Sequence, residues 1–116
     1  MDLYTRVLEL DRLTSSGRFM EALEKFYHPD VTTREGNQVP VISREAHQVK
    51  LISFFSNIER VNRITLHRVA VGNDVTMSEY TFDLQNKEGH RILWNEVLRR
   101  RWKNGLVIDE RYYTAS

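Results

Sequence analysis

Residues 91–114 read RILWNEVLRRRWKNGLVIDERYYT. Two strand-like runs flank Asn104-Gly105, and Asn-Gly between such runs is the strongest short-range hairpin signal. A hairpin fixes which side chains share a face, because strand side chains alternate. On residues 91–102 one face carries Ile92, Trp94, Glu96, Leu98, Arg100 and Trp102. The opposite face carries Leu93, Asn95, Val97, Arg99 and Arg101. The same register puts Ile108, Glu110, Tyr112 and Thr114 beside the even-numbered set.

Two further strands precede this hairpin. Residues 61–71 are rich in β-branched side chains and run into Gly72-Asn73-Asp74, which is turn chemistry. Residues 75–84 end at Asn86-Lys87-Glu88-Gly89. The first half of the chain has a different period. Leu3, Val7 and Leu10 recur at helical spacing behind Asp2, a natural cap, and Gly17 suits a left-handed end. Phe19, Ala22, Leu23, Phe26 and Tyr27 form the face of a second helix, stopped by His28-Pro29-Asp30. Residues 31–34 read as a short strand before a Glu35-Gly36-Asn37 turn. Ser43 caps a third helix with Leu51, Ile52, Phe55 and Ile58 on its apolar face. The order is α-α-β-α-β-β-β-β. It predicts an α+β domain spanning residues 1–116, in which a curved antiparallel sheet of four long strands and one short one wraps three helices. A sheet curved in this way leaves a pocket.

Composition narrows the function classes. The chain has 116 residues, no cysteine, and 17 Lys plus Arg against 16 Asp plus Glu, a net charge of +1. Without cysteine there is no thiol catalysis, disulfide scaffold or Cys-based zinc site. His28, His47, His67 and His90 show no metal-ligand spacing on one element, so neither a metal nor a cofactor is expected. Near neutrality argues against a nucleic-acid or membrane-surface partner. The one basic run, Arg99-Arg100-Arg101 with Lys103, splits between two strand faces. Charges at Asp2, Arg6, Glu9 and Asp11 interrupt any secretory apolar stretch, and the expectation is a soluble cytoplasmic protein. No phosphate-binding glycine loop, Ser-His-Asp order or nucleophile elbow is present.

Three segments resemble the nuclear transport factor 2-like superfamily, and most closely its SnoaL-like branch, named for polyketide cyclases. They are residues 23–36 (LEKFYHPDVTTREG), 69–83 (VAVGNDVTMSEYTFD) and 101–114 (RWKNGLVIDERYYT). The most specific features are an aromatic-x-x-Asp-Val start to the first strand and an Arg-Trp-x-x-Gly hairpin. The resemblance implies a cone of curved sheet and three helices across the whole chain. It specifies activity poorly, because this fold hosts isomerases, cyclases, hydrolases, dehydratases and plain binding subunits. Set against the ketosteroid isomerase branch, Glu35 falls at the general-base position. Leu10 and Leu98 fall where that branch has its two oxyanion donors. The resemblance thus implies a base without the donors of steroid isomerisation.

Several side chains are then candidates for one cavity. Glu35, Glu96 and Glu110 are the candidate catalytic carboxylates, since a desolvated carboxylate gains proton affinity. Arg100, Tyr112, Trp94, His67 and Tyr80 are candidate substrate-binding residues. Glu96 and Arg100 would stand ~13 Å apart at Cα, a spacing that brackets a ligand. Each also has a structural reading: Glu110 and Arg100 as a cross-strand ion pair, Glu35 as a solvated turn residue, and His67 as an outward or satisfied histidine. The expected ligand is a small, mostly apolar or weakly anionic organic molecule with its polar end near Arg100. The expected chemistry is acid/base isomerisation, cyclisation or dehydration. The alternative is a non-catalytic dimeric interaction module. In either reading a homodimer is expected through the outer sheet face, where Leu93, Val97, Val107 and Tyr113 are apolar and Arg99 and Arg101 form a rim.

Overall fold

The computed structural model describes residues 2–115. Three helices, α1 (Leu3–Ser15), α2 (Phe19–Phe26) and α3 (Arg44–Phe55), accompany six strands. The strands are β1 (Tyr27–Glu35), β2 (Val41–Ile42), β3 (Ile58–Val71), β4 (Val75–Asn86), β5 (Arg91–Lys103) and β6 (Leu106–Ala115). They form one sheet in the order β2-β1-β6-β5-β4-β3. The α+β cone expected from the sequence is present, with one short strand more than expected.

Local chemistry sets the helix ends. Asp2 accepts the Thr5 amide at 2.8 Å, satisfying a donor that the start of α1 leaves free. Gly17 sits at φ 77°. This lets the Arg18 amide reach the Leu13 carbonyl at 2.9 Å and the Gly17 amide reach Thr14 at 3.0 Å, a Schellman closure. Ser43 caps α3 by accepting the Ala46 amide at 3.1 Å. The expected apolar face of α3 is only partly used. Leu51 and Phe55 turn inward, Ile52 is 54% exposed, and Ile58 already belongs to β3. His47 is the only buried residue of this helix.

Two features of the sheet differ from expectation. β1 begins at Tyr27, not residue 31, and runs parallel to β6; the other pairings are antiparallel. Pro29 falls between the pairs Tyr27↔Val107 and Thr32↔Asp109, in an irregular stretch where no ladder bond needs its missing N–H. The second feature follows the Asn104-Gly105 turn, whose φ values of 52° and 78° are those of a type I′ hairpin. Trp102 pairs with Val107 and Arg101 with Asp109, which leaves Ile108 as a bulge. Val107, fully buried, therefore takes the inward place expected for Ile108 and is not on the outer face. Beyond the bulge the expected parity holds: Arg100 faces Glu110, Leu98 faces Tyr112 and Glu96 faces Thr114.

Packing divides the inside of the cone. Val7, Leu10 and Leu13 of α1 join Leu23, Phe26, Val31, Val107 and Trp102 in one cluster. Each such buried side chain contributes ~1.5–3 kcal/mol by leaving water. The Trp102 indole N–H donates to Thr76 Oγ1 at 2.9 Å, so its one polar atom is satisfied. A smaller cluster of Tyr80, Phe82 and Leu98, flanked by Trp94 and Tyr112, lies in the other part of the cone. Among the described residues no helix is long and apolar enough to cross a membrane.

Candidate functional site

Trp102 plugs one part of the cone; the remainder encloses a cavity of about 180 Å³. Space of this order holds one ring-sized molecule, since an apolar protein cavity of about 150 Å³ takes up benzene. Its apolar walls are Leu23, Leu51, Phe54, Phe82, Trp94 and Leu98. The rings form a continuous wall: Trp94 lies 5.5 Å from Phe82 and 5.8 Å from Phe54 between centroids. The polar lining is Glu35, His47, Lys50, Glu96, Glu110 and Tyr112, with Tyr27.

The five lining residues foreseen from the sequence, Glu35, Trp94, Glu96, Glu110 and Tyr112, do meet around one cavity. Three others do not. His67 follows inward-facing Leu66 on β3, and strand alternation puts it on the outer, exposed face, 2.7 Å from Thr81 Oγ1. Tyr80 points inward and is fully buried, but it lies behind the cavity wall with its hydroxyl 2.7 Å from Asp11 Oδ1. Arg100 is also inward and fully buried, yet it is not part of the lining. Its Nε donates to Glu110 Oε2 at 2.8 Å and its Nη1 to Asp11 Oδ1 at 2.7 Å. A guanidinium held by two carboxylates is not available to a ligand's anionic end, so the ion-pair reading of Arg100 is the one realised. Leu98 lines the cavity as expected, whereas Leu10 belongs to the plugged part.

Reading the sequence missed Asp11, Tyr27 and His47. Asp11 lies on α1 beside Leu10 and two residues after Glu9, a mixed helical run that gave no signal for it; in the fold it also accepts from Ser78 Oγ at 2.6 Å. Tyr27 reads as the last residue on the apolar face of the second helix, but as the first residue of β1 its hydroxyl donates to Glu110 Oε2 at 2.5 Å. Tyr112 donates to the other Glu110 oxygen. Donors thus engage both Glu110 oxygens, and the buried charge is solvated by protein groups. With Tyr112 donating to Glu110, donor counting places the His47 proton on Nε2. That nitrogen then donates to the Tyr112 oxygen at 3.2 Å while Nδ1, 3.0 Å from Thr33 Oγ1, accepts.

The electrostatics separate the carboxyls. Glu35 ends β1 at the mouth, half exposed, with Lys50 3.6 Å away. Glu96 differs from the other two carboxyls. Among the described residues it accepts a long hydrogen bond from Thr114, at 3.4 Å, and the Trp94 side chain also favours its charged form. Burial, reinforced by the charges of Glu110 and Glu35, pushes its pKa up to about 7. Burial also lowers the His47 pKa, keeping the imidazole neutral at neutral pH. Tyr27 and Tyr112 are pushed well above the ordinary phenol value, first by burial and then by the Glu110 charge, so both stay donors. Glu96 is therefore the cavity group that exchanges a proton near neutral pH. Among the described residues no cluster of His, Asp and Glu has the arrangement of a metal site.

No family model and no curated protein matches the sequence. Solved structures do. A Mesorhizobium loti protein described as a SnoaL-like polyketide cyclase superposes with TM-score 0.87 at 24% identity, over 97% of this chain and 99% of that one. A second protein so described, from Jannaschia, gives 0.82 at 17% identity, over 95% and 85% of the two chains. A hypothetical protein from Catenulispora acidiphila described as having a ketosteroid isomerase-like fold, in complex with trimethylamine, gives 0.69 at 16% identity, over 79% and 72%. The chain therefore has the nuclear transport factor 2-like cone fold, in the form shared by proteins described as SnoaL-like polyketide cyclases.

Proposed function

We propose that the chain binds a small, mostly apolar organic molecule in the cavity and moves a proton on it, with Glu96 as the acid/base group. The carrying observation is the pairing of an aromatic-walled space of about 180 Å³ with one under-bonded carboxyl whose pKa is about 7. General acid–base catalysis works best with a group titrating near the ambient pH. Ionised Glu96 would take a proton from a carbon next to a carbonyl, and the protonated form would return it at another atom of the same molecule. That is an isomerisation with no net change in protons. The Trp94 indole N–H, two residues along the same strand face, is buried without a partner among the described residues. It lies near enough to Glu96 to favour that carboxylate, and an oxygen gaining charge beside Glu96 would take the same donor. Glu35 and Glu110 then serve as the mouth carboxylate and the anchor of the tyrosines. The amine complex of the Catenulispora protein supports the reading at its coarsest level: a protein of this fold takes up a small organic molecule.

The test is a thermal-shift screen against small cyclic carbonyl compounds, followed by turnover with Glu96→Gln, Glu35→Gln and Glu110→Gln. Binding by all variants with turnover lost in Glu96→Gln supports the proposal. Unchanged turnover in Glu96→Gln, or no ligand at all, overturns it.

A second reading, a dimeric interaction module, is favoured by the uncovered outer sheet face. There Met77, Leu93 and Tyr113 are 45%, 55% and 43% exposed. Apolar side chains gathered on an open face fit self-association. Sedimentation at micromolar concentration distinguishes a homodimer from a monomer, and a monomer rejects this reading.

A further inference from the structure

The charges around the cavity point to one ligand class. Lys50 is the only Lys or Arg in the lining, and it pairs with Glu35. Arg100 lies behind the wall between Asp11 and Glu110, so this trio carries two negative charges against one positive. His47 is uncharged at neutral pH. An anionic guest would therefore meet no unshared cation and at least one uncompensated negative charge. A cationic guest would meet Glu96, whose oxygens are scarcely used, and the faces or edges of Trp94, Phe54 and Phe82. Indole and phenyl rings attract cations electrostatically, more strongly where water is excluded.

We propose that the occupant is a small organic cation, a protonated or quaternary amine on a compact hydrocarbon body, with its nitrogen beside Glu96. This rests on the pocket reading above and goes beyond it by assigning the charge of the ligand. The cation's charge pairs with Glu96 and adds to the neutralisation of the Asp11–Arg100–Glu110 trio.

The experiment uses probes matched in shape and differing in charge. Benzylammonium, benzyl alcohol and benzoate form the larger set; tetramethylammonium and tert-butanol form the smaller. Titration calorimetry at pH 8 and pH 6 gives Kd for each, and ¹⁵N shifts at Trp94 report whether the site is this cavity. Expected is at least tenfold tighter binding of a cation than of its neutral partner at pH 8. That preference narrows at pH 6, where Glu96 gains a proton beside Glu110 of β6, Glu35 of β1, and His47 and Lys50 of α3. Glu96→Gln should remove the preference while leaving neutral binding in place. Equal binding of cation and neutral partner, or tightest binding by benzoate, overturns the cation assignment and leaves the pocket reading intact. No binding by any probe also overturns the cation assignment, while the pocket reading stands or falls with the carbonyl screen above.

Discussion

Arg100 lies directly opposite Glu110 across the β5–β6 ladder, with Nε 2.8 Å from Oε2 and both side chains excluded from solvent. Asp11, on α1, closes the other side of the guanidinium at 2.7 Å. One cation thus ties the first helix to the last hairpin and also fixes the carboxylate on which Tyr27 and Tyr112 are hung.

Replacing Arg100 with leucine should therefore cost ~3–5 kcal/mol of stability, because two buried carboxylates lose their counter-charge. Urea unfolding reads this directly. A loss below about 1 kcal/mol would mean that water or rearranged donors compensate the carboxylates.

Glu96 gives the fold a pH dependence of defined sign. Its folded pKa, about 7, lies above its ordinary value of 4.5. Well below 4.5 both folded and unfolded states are protonated, and the group has no effect. Between the two values the folded state holds the extra proton, so stability falls as pH rises, and above about 7 the full penalty stands. Glu96→Gln should consequently stabilise the protein at pH 8, by up to about 3 kcal/mol, and make little difference at pH 4. Denaturation midpoints for the two proteins that run parallel across this range would contradict the assignment.

His47 should titrate below the ordinary imidazole value of 6.5, because burial disfavours its charged form. Its contribution has the opposite sign: stability is present above the ordinary value and declines as acid forces the charge on. Imidazole proton shifts followed against pH locate the midpoint. Tyr112→Phe removes the oxygen that accepts from Nε2 and should cost ~1–3 kcal/mol, the usual effect of orphaning a buried donor. A His47 midpoint at or above 6.5 would show that the ring is solvated.

At the β5–β6 turn, Gly105 has φ 78°. Alanine there pays for a left-handed backbone and should destabilise by ~1–2 kcal/mol. Because the turn sets the β5–β6 register, Gly105→Ala is also expected to weaken binding in the cavity although the residue is not in its lining. An unchanged unfolding midpoint would mean that the hairpin is held by its strands alone.

The sequence by itself determined the order of helices and strands and which side chains of β5 share a face, while the resemblance implied the cone and which of those faces turns inward. Local rules suffice for the order and the shared face: caps at Asp2 and Ser43, a left-handed glycine at 17, and Asn104-Gly105 between alternating strands. From that parity it was legible that Glu96, Trp94, Glu110 and Tyr112 share one space. Tertiary structure decided what each of them does there. The bulge at Ile108 exchanged it for Val107 in the core. The parallel pairing of β1 with β6 brought Tyr27 to Glu110, and the packing of Ile64 and Leu66 against the inner cluster put His67 on the outer face. Asp11 met Arg100 from 89 residues away, which converted an apparent ligand-binding arginine into a structural one. His47 entered the site because α3 packs over the cavity together with Lys50, Leu51 and Phe54, burying His47 deepest of the helix. Strand alternation and helix caps are properties of neighbouring residues, whereas ion pairing and burial depend on which distant segments meet, and only the folded chain sets that.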